Sequence, residues 1–153
     1  MSVEEKLASL GITLPTPTPP LANYVPVVRT GNLLFVSGQV SVDGAGKMVT
    51  GKLGAGMSAE EGALAARLCA INILAQTKVA LGGDLEKVVR VVKLTGFVNS
   101  APDFIDHPKV INGCSDLLVE ALGDKGRHAR SAFGIAALPF GCAVEVEAVI
   151  EVA

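Results

Sequence analysis

The residues best equipped for chemistry gather in the last quarter of the chain, between Arg127 and Val152. Arg130 carries a planar guanidinium, a group that can make two parallel charge-assisted hydrogen bonds to a carboxylate in a geometry lysine cannot copy. Further on, Glu145, Glu147, Val149 and Glu151 alternate with Val144, Val146, Ala148, Ile150 and Val152. That period of two is the signature of a strand with one apolar and one acidic face. The apolar face must cover a core. The acidic face looks at water, at a partner or at a ligand, and a carboxylate that holds a water can take its proton.

Other reactive side chains offer less. Cys69, Cys114 and Cys142 are odd in number and widely separated, so they read as buried free thiols rather than a redox pair or a zinc site. His107 and His128 stand at no metal-ligand spacing with them, and no metal or cofactor is expected. The formal net charge is −2 and no basic cluster interrupts it, which disfavours a nucleic-acid partner. The glycines between Gly44 and Gly56 lack the Gly-Lys-Ser/Thr ending of a phosphate loop and are read as conformational freedom.

At 153 residues the chain suits one domain, 1–153, with residues 1–23 as an accessory leader. No uninterrupted apolar run approaches the ~20 residues a membrane span requires. The polar start, Met1-Ser2-Val3-Glu4-Glu5-Lys6, is unlike a signal peptide, so a cytoplasmic location is expected. Half of the residues are apolar and few are aromatic, which suggests that some apolar surface closes on another subunit.

The leader holds a short helix over residues 3–10 and then Pro15-Thr16-Pro17-Thr18-Pro19-Pro20, which can only lie extended over the surface. Residues 24–30 and 33–40 form a hairpin about Gly31-Asn32. Ser58-Ala59-Glu60-Glu61 is a capping box, opening a helix whose apolar stripe is Leu64, Leu68, Ile71, Ala75 and Val79 and which Gly82-Gly83 ends. Val88 to Val98 suits a central strand with Arg90 and Lys93 on opposite faces. Val110, Cys114, Leu117 and Ala121 mark a second amphipathic helix, closed by Gly123. Residues 129–137 and 143–152 are strands separated by a turn at Leu138–Gly141.

Two crossovers bracketed by hairpins predict an α+β fold, a two-layer sandwich in which a mixed sheet carries both helices on one face. The helices should cover Val144 and Val146, leaving the other sheet face for water or other subunits. If the last two strands pair as an antiparallel hairpin, Glu145 falls opposite Gly134 or Ile135, roughly 13 Å along from Arg130. A one-residue change of register would put the two side chains on opposite faces.

Several local patterns together resemble one family, RidA, also called YjgF. They are Tyr24 with Ser37-Gly38-Gln39, Asp103-Phe104 leading into the helix that holds Asn112, Ala129-Arg130-Ser131, and Leu138-Pro139 followed by Glu145-Val146-Glu147-Ala148. The resemblance covers nearly all of the chain from Tyr24 to Val152. It implies a chorismate-mutase-like homotrimer with a central barrel of sheets and a ligand cleft at each subunit interface. By the same resemblance, Arg130 grips the substrate carboxylate, and Glu145 polarises a water with help from the backbone carbonyl of Ala132. Tyr24, Ser37, Gly38 and Asn112 line the pocket.

The implied reaction is hydrolysis of reactive imines or enamines, 2-aminoacrylate or 2-iminopropanoate, to a 2-keto acid and ammonia without cofactor. A non-catalytic binder of small carboxylic acids is the alternative. A ribonuclease role, also attached to the family, is disfavoured by the acidic balance and the lack of a histidine pair. Ala132 stands where the family often has cysteine, and Asp106-His107-Pro108 looks inserted, so the chain resembles a divergent branch of that pattern.

Overall fold

The computed structural model describes residues 1–20 and 22–153; Leu21, within the expected leader, lies outside the described residues. Helix α1 (Val3–Ser9) starts at a reciprocal capping box between Ser2 and Glu5 and buries Leu7. Its start is anchored far along the chain, where the Val3 N–H donates to Glu86 Oε1 at 2.6 Å. Residues 12–20 then run without helix or strand, as the prolines require.

Strands β1 (Val27–Thr30) and β2 (Leu33–Val40) form the expected hairpin, with Gly31 at φ 57 in the turn. A small parallel pair, β3 (Lys52–Leu53) and β4 (Gly56–Met57), sits in the glycine-rich region. Helix α2 (Ala59–Ala80) begins at the Ser58–Glu61 capping box. Strand β5 (Val88–Asn99), helix α3 (His107–Leu122), strand β6 (Ala129–Ile135) and strand β7 (Val144–Val152) complete the chain.

The five-stranded sheet runs β1-β2-β7-β5-β6 and is mixed, with β5 and β6 parallel and the other pairs antiparallel. Both long helices cover one face. Val144, Val146, Ala148, Ile150 and Val152 are buried there as the alternation required, and the fold class read from the sequence holds. Each fully buried Leu or Ile in this layer contributes about 1.5–3 kcal/mol through burial. The stripe Val110, Cys114, Leu117 and Ala121 of α3 is also buried.

Three local expectations are corrected. The first concerns β6 and β7, which do not form a hairpin. The crossover β5-α3-β6 makes β6 a parallel neighbour of β5, and β7 passes to the other side of β5, between it and β2. The connection is tied down where Asn99 Nδ2 donates to the carbonyls of Gly51 and Cys142 and Lys52 Nζ donates to Asn99 Oδ1 and the Ala136 carbonyl.

The second is α2. Leu64 and Val79 are exposed, at 68% and 63%, while Ala65, Ala66, Cys69, Ala70 and Ile73 face the core. Small side chains let α2 approach its neighbours closely: a Cβ on Gly113 of α3 would strike the Ala63 carbonyl, and one on Gly62 would strike Leu53. Helix α2 has the length and hydropathy of a membrane span, but half of the relevant stretch is buried in this domain. The third is β5, where register shifts on either side of Arg90 bring Arg90 level with Glu151 and Lys93 level with Val149, so both point to the open face.

Candidate active site

Glu145 lies at the start of β7, level with Val40 on one side and Phe97 on the other, and so faces away from the helices. The strand beside it is irregular. The pairing of β2 with β7 shifts between Val36 and Gln39, which places Ser37 and Gly38 in a bulge. Bulges recur where a side chain must be re-aimed. Here the bulge sets Gly38 directly beneath the Glu145 carboxylate: a Cβ at position 38 would collide with Glu145 Oε2. The missing Cβ permits that close approach, and a Cβ there would push the flexible carboxylate aside. The Ser37 N–H donates to the Pro26 carbonyl and Gln39 Nε2 donates to the Ser37 carbonyl, so the bulge is held from both sides.

The carboxylate is half-buried, and burial pushes its pKa up from the usual carboxylate value, with the like charge of Glu147 adding to the shift. It borders a cavity of about 730 Å³. Tyr24, Ser37 and Gly38 line the same space, as does Phe140. The extended leader, Pro15 to Pro20, forms one wall. Phe140 is the one described non-glycine residue with positive φ, at 58, and it is 80% exposed. A residue held at that angle against its preference is a mark of local constraint.

Arg130 belongs to a different place. It lies on β6, the edge strand, level with Leu94 and in turn with Ala148, which puts it on the helix side of the sheet. Its Nη1 donates to Ser115 Oγ at 3.0 Å and its Nη2 to the Pro108 carbonyl at 3.2 Å. Pro108, Asn112 and Ser115 succeed one another along one stripe of α3. Asn112 is exposed on that stripe and Ala132 is half-buried on the same strand as Arg130. Ser115 in turn meets His128 Nε2 at 2.9 Å, and His128 Nδ1 meets the Gly126 carbonyl. Burial holds the His128 pKa below its ordinary value and Arg130 acts in the same direction, against the opposing bond to Gly126.

The sequence-expected residues therefore fall into two groups. Tyr24, Ser37, Gly38 and Glu145 come together, and Arg130, Asn112 and Ala132 come together elsewhere. The expected hairpin separation of Arg130 and Glu145 is overturned. Glu145 is level with Phe97 and Phe133, three residues and two strands from Arg130, so the two side chains stand roughly 14 Å apart in the sheet plane and on opposite faces.

Ser115, His128 and the leader wall were not read as site residues. Their only sequence signal was a serine in phase with Asn112 on α3 and a histidine two residues before Arg130. The three cysteines are buried and free, as expected. Burial raises the Cys114 thiol to about 12, which makes it inert.

Comparison with known proteins bears directly on these groups. The family described as YjgF/chorismate mutase-like matches residues 4–151. Protein TCP17 of Trypanosoma cruzi is 49% identical over 150 residues, covering 97% of this chain and 93% of that one. The crystal structure of the protein Atu1372 from Agrobacterium tumefaciens is 50% identical, superposes with a TM-score of 0.92 and covers 99% of this chain and 94% of its own. RidA from an Antarctic Psychrobacter is 26% identical with a TM-score of 0.62, covering 92% of this chain and 97% of its own. With a matched region that spans both residue groups and nearly the whole fold, this chain belongs to the RidA/YjgF family.

Proposed function

We propose that the protein hydrolyses reactive 2-imino or 2-enamino acids, of the 2-aminoacrylate and 2-iminopropanoate type, to 2-keto acids and ammonia, in clefts shared between copies of the chain. The observation that carries this reading is the Glu145 carboxylate: half-buried, raised in pKa and seated over Gly38 at the rim of a cavity. A base with raised pKa is a stronger proton acceptor at neutral pH. In the proposed step, a water gives a proton to Glu145 as its oxygen bonds to the iminium carbon, and the C=N electron pair passes to nitrogen. Glu145 then returns the proton to the nitrogen of the carbinolamine. The C–N bond breaks as ammonia leaves, the hydroxyl oxygen becomes the keto oxygen, and its proton goes by way of Glu145 to solvent.

Arg130 is the proposed carboxylate anchor. Two of its five N–H donors are engaged within the chain, which leaves three for a ligand. Because Arg130 and Glu145 lie on opposite faces of one chain, a ligand that touches both needs two chains. Assembly through the open sheet face is supported by its exposed apolar side chains, Val28, Phe35, Val89, Val92 and Phe133. A homotrimer is the proposed form, by the family resemblance.

A second reading, binding of small carboxylic acids without turnover, is favoured by the completeness of the Arg130 cluster on its own. The two are separated by presenting enzymatically generated 2-iminopropanoate and following ammonia release. Acceleration over buffer that disappears in Glu145→Gln is expected; no acceleration with any amino-acid precursor leaves only the binder.

A further inference from the structure

Arginine has five donors and a long flexible stem, so a bidentate grip requires that something decide which way the guanidinium lies. In this chain the deciding groups form a continuous line. The Gly126 carbonyl can only accept, so the proton it receives sits on His128 Nδ1. A neutral imidazole protonated there leaves Nε2 as an acceptor. The lowered pKa of His128, caused first by burial, keeps the ring in that neutral form. Ser115 Oγ, 2.9 Å from Nε2, must then spend its one proton on the ring, and its lone pairs face Arg130 Nη1 at 3.0 Å. Each group in the line has one role open to it. At the far end, the Pro108 carbonyl takes a proton of Nη2 and fixes the second arm.

We infer that Ser115 and His128 are positioning residues, a relay of hydrogen bonds from the Gly126 carbonyl that locks the plane of the Arg130 guanidinium and aims its remaining donors at the substrate carboxylate. The last clause rests on the proposed role of Arg130; the lock itself does not. Lysine at position 130 has donors for both acceptors but no guanidinium plane for the cradle to lock.

Two measurements test it together. In the full-length protein, nitrogen NMR should show His128 in its Nδ1–H tautomer and resolved, slowly exchanging Nη resonances for Arg130. Ser115→Ala should merge the Arg130 resonances and Ser115→Thr should keep them apart. Calorimetric titration with 2-oxobutanoate, a stable 2-keto acid, should show an affinity loss of about 10-fold in Ser115→Ala, the order expected for one hydrogen bond to a charged group. Ser115→Thr should stay within about twofold. In an Arg130→Ala background, Ser115→Ala should cost nothing further.

An Nε2–H tautomer, or Arg130 resonances unchanged by Ser115→Ala, would overturn the relay. Equal loss of affinity from Ser115→Ala with and without Arg130 would overturn its functional part. If the wild type fails to bind 2-oxobutanoate while the NMR signatures are present, the carboxylate reading of Arg130 falls and the lock stands.

Discussion

The Glu145 group and the Arg130 group solve the same problem, holding one charged side chain in place, by different means. Glu145 is placed by backbone: a bulge in β2 and the missing Cβ of Gly38 leave a seat for its carboxylate, and no side chain hydrogen-bonds to it among the described residues. Arg130 is placed by side chains, through Ser115 and His128 and the Pro108 carbonyl. The difference suits the two proposed tasks. A base must be free to exchange protons with a water, and a raised pKa follows from its sparse solvation. An anchor must keep its orientation, which a fully engaged hydrogen-bond line provides.

The largest expected effects separate the groups outright. Glu145→Gln should lower turnover by about 10²–10⁴-fold, the range for loss of a general base, while leaving 2-keto acid affinity close to that of the wild type. Arg130→Ala should do the reverse in a titration, weakening 2-oxobutanoate binding by about 10²-fold, the order for truncating one partner of a charged hydrogen-bonded pair, while leaving it measurable. If both variants lose binding alike, the division of labour fails.

Next in size is the seat itself. Gly38→Ala should displace the Glu145 carboxylate and lower kcat by about 10²-fold, since small misplacements of a reacting group carry that order of cost. Arg130-dependent binding should persist. A crystal structure of the variant with Glu145 unmoved would contradict the role given to the bulge.

The pH dependence sharpens the contrast further. Glu145 must be ionised to act, so kcat/KM falls as pH drops through its pKa, and the acid limb should lie above the ordinary carboxylate value of 4.5. Glu147→Gln removes the like charge and should move that limb to lower pH, though burial, the larger cause, keeps it above 4.5. The stability linkage has the matching sign. A carboxyl whose folded pKa exceeds its unfolded pKa stabilises at low pH, and that contribution is lost as pH rises through the folded value. Glu145→Gln should therefore unfold at a higher temperature than the wild type at neutral pH.

The smallest effect concerns Phe140, which holds a φ of 58 at the cavity rim. Glycine adopts that angle freely, so Phe140→Gly should leave thermal stability unchanged or raise it by about 1 kcal/mol of released strain, while removing an aromatic wall from the Glu145 side alone. A large loss of stability would mean that the ring packs in a way its exposure does not suggest.

What could be read from the sequence followed from how strongly each segment constrains itself. The alternation of β7 has one solution, because a slip of one residue would expose Val144, Val146 and Ile150 together. The α3 stripe is equally narrow. Helix α2 misled because its core face is built of Ala65, Ala66, Cys69 and Ala70, which carry little hydrophobic signal, while Leu64 and Leu68 carry much and lie toward an outer groove. The hairpin of β6 and β7 was an argument from turn length, and it lost to the crossover rule that seats β6 beside β5.

Within the site, Gly38 and Glu145 were legible as a local pattern in the family resemblance. The line from Ser115 to His128 was not, because two common residue types 13 positions apart announce nothing until α3 and β6 are packed together.

The central claim is that one site draws Glu145 from one chain and Arg130 from another, and it is tested most directly by mixing two inactive variants. Arg130→Ala and Glu145→Gln chains, unfolded together and refolded at equal ratio, would form, in the proposed trimer, mixed assemblies in which one cleft of three has both residues intact. Random assembly then predicts recovery of about one quarter of wild-type turnover from closed cyclic symmetry. If each cleft took both residues from a single chain, every cleft would keep a defect, and the refolded mixture would be as inactive as its components.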